Sequence, residues 1–192
     1  MNIRILHLIR HGQQDSQNSS GDKLGGRLTA LGRKQAELTA RRLSQLPISV
    51  IHHSDLRRAV ETAEIIARKL PGVPLRQSRQ LRECIPNVPA AFAGHFASVS
   101  KEELVRGHEQ AKNAFMRYFK PARGGERHEI VVCHGNLIRY FVCCVLQASP
   151  DAWANMDIYN CGISEVKIEP NKMMLVCHND AGHLPDALKT YV

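Results

Sequence analysis

The chain predicts an α/β fold with a mostly parallel sheet and helices on both faces. Three observations carry that class. Short apolar runs of strand length stop abruptly at polar residues, stretches with helical apolar period lie between them, and the two kinds alternate along the chain. The 192 residues, 43% hydrophobic and 23% charged, suit one folded domain and are too apolar for a disordered segment.

Ile3, Ile5, Leu6, Leu8 and Ile9 read as a buried strand ending at Arg10-His11-Gly12, and the polar stretch Gln13–Gly26 reads as a loop. Thr29 is placed to cap a helix over about Ala30–Gln45. Val50–His53 is a brief strand, with Ser54 or Asp55 capping the next helix. In that helix Ala59, Thr62, Ala63, Ile66, Ala67 and Leu70 repeat on one face, and Pro71-Gly72 stops it. Leu75–Leu81 reads as a strand, and residues 84–98, broken by Pro86, Pro89 and Gly94, as an excursion from the core. Lys101–Phe119 reads as a helix with Leu104, Val105, Ala111, Phe115 and Phe119 inward. Glu129–Cys133 is a strand ending at His134-Gly135-Asn136, and Leu137–Leu146 is a helix apolar nearly all round. Cys161–Ile168 and Met173–Cys177 form a hairpin across Pro170-Asn171.

Composition narrows the function classes. The longest strongly apolar run, Tyr140–Leu146, is too short to span a membrane. Residues Met1–Arg10 carry no signal-peptide core, and neither end has a lipidation motif, so no membrane partner is expected. Six cysteines without a CxxC pair fit free thiols in a reducing, cytoplasmic setting rather than a disulfide framework. Ten histidines show no zinc spacing. The formal charge of +8 is uneven: residues 1–82 hold 15 Lys/Arg against 6 Asp/Glu, and residues 83–192 hold 11 against 12. A basic half points to an anionic partner. The same half has no Phe, Tyr or Trp, which argues against a nucleic-acid stacking surface.

Parallel sheets bind ligands beyond the carboxyl ends of their strands. His11, the Ser54–Arg58 stretch, Glu83 and His134 each follow a strand, so they should collect at one edge. Arg10 and Arg58 offer planar donor forks matched to phosphate oxygens. A histidine between them should be neutral and able to attack phosphorus, with His134 and the arginines holding the developing charge. Glu83 could protonate the leaving alkoxide and then activate water. The arginines supply the positive charge, so no metal or other cofactor is expected. Singly, each group has a plain alternative: Arg10 as a surface charge, His134 as a satisfied core residue, Glu83 as the ion-pair partner of Arg82 or Arg79.

Five motifs in order resemble the histidine phosphatase (phosphoglycerate mutase-like) superfamily: Leu8-Ile9-Arg10-His11-Gly12, residues 28–36 (LTALGRKQA), residues 54–63 (SDLRRAVETA), Leu81-Arg82-Glu83, and Val132-Cys133-His134-Gly135-Asn136. Residues 136–143, 160–164 and 168–171 look most like the mitochondrial branch that dephosphorylates Ser/Thr phosphoproteins. The resemblance implies a three-layer α/β/α sandwich with a small insertion over the site, here at about 84–98. It implies His11 as nucleophile, Glu83 as proton donor, and Arg10, Arg58 and His134 as the phosphate pocket. Gly135 and Asn136 join that pocket, and Gln17 stands where the family often has Asn. Residues 84–97 depart from that branch, and Glu83–Val99 has no Lys or Arg, which suits a bulky substrate better than a doubly charged sugar phosphate. The leading expectation is a metal-independent phosphatase working through phosphohistidine on a Ser/Thr phosphoprotein. A small phosphoester or a phosphohistidine protein is the alternative substrate, and a catalytically inactive phosphate-binding module is the non-enzyme alternative. Leu184, Leu188 and Val192 leave room for a homodimer contact.

Overall fold

The computed structural model describes residues 2–15 and 24–191. A six-stranded sheet is formed by β1 (Ile3–Arg10), β2 (Ile48–Ser54), β3 (Leu75–Ser78), β4 (Glu126–Cys133), β5 (Ile163–Glu169) and β6 (Lys172–Asp180), in the order β3-β2-β4-β1-β5-β6. The first four in that order are parallel; β5 runs antiparallel to β1, and β6 antiparallel to β5. Four helices cover it: α1 (Ala30–Leu43), α2 (Arg57–Ala67), α3 (Lys101–Tyr118) and α4 (Gly135–Leu146).

Alternation along the strands divides the core. Leu6, Leu8, Val131 and Cys133 pack with Ala111, Tyr118, Leu137 and Phe141 of α3 and α4. Ile9, Ile130 and Val132 pack with Ala40, Leu43, Ala59 and Ile66 of α1 and α2. Successive side chains point to opposite faces, so a strand covered on both faces must be apolar throughout, which is why these strands read as unbroken runs. Helix ends obey local rules. Thr29 caps α1 through the Gly32 amide at 2.9 Å, and Ser100 with Glu103 makes a reciprocal capping box at α3.

The structure corrects several expectations. Neither Ser54 nor Asp55 caps α2; Leu56 holds that position without a side-chain bond, because Ser54 and Asp55 face other partners described below. The third strand stops at Ser78 and passes into a 3-10 turn, Arg79–Leu81. Val105 is 58% exposed rather than inward. The buried stripe of α3 is Gly107, Ala111, Ala114 and Tyr118, a face of small residues on which the chain after Leu81 lies closely. Leu184 is spent inside a cluster with Leu28, Ala36 and Ile65, so it is not free for a dimer contact, and Val192 lies outside the described residues. Residues 84–98 hold one short 3-10 turn, Ala90–Phe92, and are largely exposed. Among the described residues no helix is long and apolar enough to cross a membrane.

A Cβ at Gly107 would lie 2.3 Å from the Ile85 carbonyl oxygen, whereas one at Gly94 meets nothing within 4 Å. Gly107→Ala should therefore destabilise by about 1–3 kcal/mol, despite alanine's better helix propensity, and Gly94→Ala should be near neutral. Denaturant midpoints of the two variants check this.

Candidate active site

The register of the two central parallel strands builds the site. Arg10 on β1 sits opposite Cys133 on β4, so His11 and His134 leave the sheet in step, their ring centroids 5.1 Å apart. The helices that follow these strands lie on opposite faces, which makes this crevice a switch point of the sheet.

His11 is buried and its orientation is settled by two bonds. Nδ1 lies 2.8 Å from the Gly12 carbonyl oxygen and so carries the proton, leaving the Nε2 lone pair to accept from Arg58 Nε at 3.0 Å. Burial, then Arg58, then Arg10 drive its pKa well below the usual value, so the ring is neutral. Gly12 also donates its amide to Thr62 Oγ1 at 3.1 Å. A Cβ at Gly12 would approach the Gly32 carbonyl oxygen to 2.5 Å, and one at Gly32 would reach the Gln13 carbonyl oxygen at 2.1 Å. Only glycines allow the turn after β1 to lie against the start of α1 this closely.

Arg10 is held from behind: Nη1 donates to the carbonyls of Ile158 at 2.6 Å and Tyr191 at 2.5 Å. Its Nε is buried with no protein partner. His134 is fully buried, with Nε2 2.9 Å from Ser54 Oγ and Nδ1 unpartnered. Ser54 Oγ also accepts from the Leu56 amide at 3.2 Å, so one hydroxyl bridges His134 and the start of α2. Burial and then His11 hold His134 neutral as well. Gly135 opens α4, and His134 makes no side-chain cap there, so amides of that helix end face the crevice. A Cβ at Gly135 would lie 3.5 Å from Arg10 Nε.

Glu83 faces the same space. It does not pair with Arg82 or Arg79: Arg82 is clamped to buried Asp55 through two bonds of 2.6 and 2.7 Å, and Arg79 reaches the same carboxylate at 3.7 Å. Burial raises the Glu83 pKa, against the pull of Arg58, Arg10 and the amides of Asn136 and Cys84. Asn136 itself is tied to Arg139, which stacks over the Trp153 ring at 4.9 Å. The predicted set Arg10, His11, Arg58, Glu83, His134, Gly135 and Asn136 thus meets in one place. Gln17 lies outside the described residues.

Other positioning groups were not singled out from the sequence. Asn160, fully buried, donates to the His11 carbonyl oxygen at 3.0 Å and accepts from Thr190 Oγ1 at 2.8 Å. Gln35 donates to Thr190 Oγ1 at 2.9 Å and accepts from the Gln13 amide. The segment around Thr190 therefore braces both His11 and Arg10, a contact across the whole chain that no local pattern encodes. Two hollows flank the site: one of about 600 Å³ reaching Glu83, Cys84 and Ser98, and one of about 340 Å³ between Phe92, Phe96, Asn136 and Trp153.

The profile of the Histidine phosphatase superfamily (branch 1) matches residues 6–88 and 85–181. The chain is 38% identical over 192 residues to the Homo sapiens protein named serine/threonine-protein phosphatase PGAM5, mitochondrial, covering 95% of this chain and 64% of that relative's length. A crystal structure of phosphoglycerate mutase from Plasmodium falciparum aligns with a TM-score of 0.66 at 30% identity, over 97% of this chain and 96% of that one. Bacillus stearothermophilus YhfR shares the fold with a TM-score of 0.76 at 20% identity, over 94% and 98% of the two chains.

Two outcomes follow from the electrostatics. Arg58→Gln removes a cation beside His11, so the His11 pKa should rise, read by nitrogen-detected histidine NMR; an unmoved value would contradict the Arg58 contact. The His7 pKa falls to about 4 and that of His183 to about 4, and His11, His53 and His134 are also lowered by burial. Groups depressed in the folded state bind more protons unfolded, so stability should be full above about pH 6.5 and decline as pH falls below it. Denaturant midpoints between pH 7 and 5 test that sign.

Proposed function

The chain belongs to the histidine phosphatase superfamily, and on that premise we propose that it is a phosphomonoesterase that works through a phosphohistidine without a metal ion. The observation that carries this reading is the neutral His11 ring, its Nε2 lone pair presented beside Arg58 and in the same crevice as the unpartnered buried nitrogens of Arg10 and His134. Nε2 attacks phosphorus and the bond to the leaving oxygen breaks. Glu83, whose pKa burial raises, acts in its protonated form in this reading and gives its proton to that oxygen. The resulting Glu83 carboxylate then takes a proton from water, whose oxygen displaces His11 and releases phosphate. Arg10, Arg58, His134 and the α4 amides hold the equatorial oxygens in both steps. In this reading the guanidinium groups of Arg10 and Arg58, both acting on His11, supply the cationic charge the reaction needs.

For substrate we favour a Ser/Thr phosphoprotein. The rim carries no Lys or Arg between Glu83 and Val99, and the two flanking hollows give a polypeptide room on either side of the phosphate. The chain spans about 64% of the length of the curated relative named for that activity. Small phosphoesters and phosphohistidine proteins are the competing substrates. Six unpaired thiols fit a reducing compartment such as the cytoplasm.

His11→Ala should abolish hydrolysis of an aryl phosphate in a folded protein, and the wild-type rate should survive EDTA. Glu83→Gln should slow alkyl phosphates by about 10²–10⁴-fold and aryl phosphates far less, because a good leaving group needs little protonation. Equal losses on both would remove Glu83 as the acid. With His11 held neutral and Glu83 required in its protonated form, kcat/KM for alkyl phosphates should fall as pH rises through the Glu83 pKa, with no acid limb at the usual histidine value. Side-by-side kcat/KM on phosphoserine and phosphothreonine peptides, a phosphohistidine protein and small phosphoesters tests the substrate class.

A further inference from the structure

The opposite end of the sheet carries a second basic feature that catalysis does not use. A hollow of about 340 Å³ opens between β1, β2, β4, the start of β3 and the C-terminus of α3. Arg4, Arg76, Arg117 and Arg127 line it, with His52, Ser49 and a single carboxylate, Glu129. Register explains the crowding. Arg4 faces Arg127 across β1 and β4, and His52 faces Arg76 across β2 and β3.

The one acid is already engaged. Glu129 is buried and takes Arg4 Nε at 3.3 Å and His52 Nε2 at 3.3 Å. Arg4 Nη1 also donates to the Tyr118 carbonyl at 2.8 Å, which quiets the negative end of α3. Arg117 lies over the Tyr118 ring at 5.6 Å and reaches a neutral amide, Gln80. Arg76 and Arg127 are exposed at the rim. Three guanidinium groups therefore surround a concave surface whose only carboxylate among the described residues, Glu129, is spent. Along β4 the hollow at Glu129 and the active site at His134 are five residues apart, roughly 16 Å at strand rise, so one phosphoryl group cannot occupy both.

We propose that this hollow is a second anion site, distinct from the active site, that takes a compact ligand bearing several phosphoryl groups. Guanidinium forks spaced around one concavity match phosphate oxygens on neighbouring groups better than a single phosphate or a carboxylate. The proposal stands whether or not His11 is a nucleophile, since it uses none of the active-site residues.

Inorganic tripolyphosphate is the probe, titrated by calorimetry at low and moderate salt. The active site is disabled by His11→Ala with Arg58→Ala so that only the distal hollow is read. One equivalent should still bind, with affinity falling as salt rises. Adding Arg76→Ala and Arg127→Ala should weaken binding at least about tenfold, since each removes a charged hydrogen-bonding group. Circular dichroism confirms that both forms are folded. Loss of all binding with His11→Ala and Arg58→Ala alone, or binding unmoved by Arg76→Ala and Arg127→Ala, overturns the proposal. Sedimentation with phosphatidylcholine vesicles containing a polyphosphoinositide, lost in the Arg76/Arg127 pair, would identify the phosphoryl groups as a lipid headgroup; absence of sedimentation with tripolyphosphate binding retained identifies a soluble ligand.

Discussion

A neutral imidazole held between two guanidinium groups is the constraint on which the site depends. Arg58 donates to His11 Nε2, and Arg10 adds a second positive charge to the same buried space. Protonating His11 there would place three cations together away from water, so the ring stays unprotonated and its lone pair stays available. Glu83 and Asp157 act against this surplus of positive charge, and burial raises the Glu83 pKa. Under the proposed mechanism, attraction for a phosphoryl group and activation of His11 would both come from this single arrangement.

Such an arrangement survives only on a rigid support. The sheet supplies it by pairing β1 and β4 in step up to Arg10 and Cys133, with both faces packed by helices. Glycines at 12 and 32 let backbone meet backbone where any side chain would force the turn open. Asp55 neutralises Arg82 and, through it, anchors the segment that carries Glu83. The last described residues complete the support, since Thr190 reaches Asn160 and Gln35 while the Tyr191 carbonyl takes Arg10. Arg10 is aimed by the neutral carbonyls of Ile158 and Tyr191, which fix its direction without cancelling its charge.

Local pattern carried much of this. Strand runs, the Thr29 cap, the α2 face and the strand-end placement of His11, Arg58, Glu83 and His134 follow from periodicity and from the rule for parallel sheets. What periodicity missed was set by distant chain. Val105 belongs to an apolar set on paper, yet Ile85 seats on Gly107 and turns another face of α3 inward. Ser54 looks like a helix cap, yet His134 is its partner. Asn160 and Gln35 are fully buried polar residues whose partners lie 149 and 155 residues away, so no local pattern names them as hydrogen-bond centres.

The charge imbalance between the two halves of the chain resolves into unlike parts. Arg27 and Arg33 are met by Glu61, Arg79 and Arg82 by Asp55, and Arg42 by Asp180, so these cations hold elements together and contribute little outward field. Arg10 and Arg58 are partly buried and screened only weakly by salt, and they act over hydrogen-bond distance on a group already in the pocket. Arg76 sits exposed at the other end of the sheet, where its effect is screened within about 10 Å at ordinary ionic strength. Salt would therefore separate the two: the proposed binding at His11 rests on fixed geometry in a sheltered crevice, whereas any attraction exerted by the exposed arginines fades as ions are added. A basic sequence half is in this protein a mixture of structural pairs, two sheltered cations and exposed ones such as Arg76, and only position in the fold tells them apart.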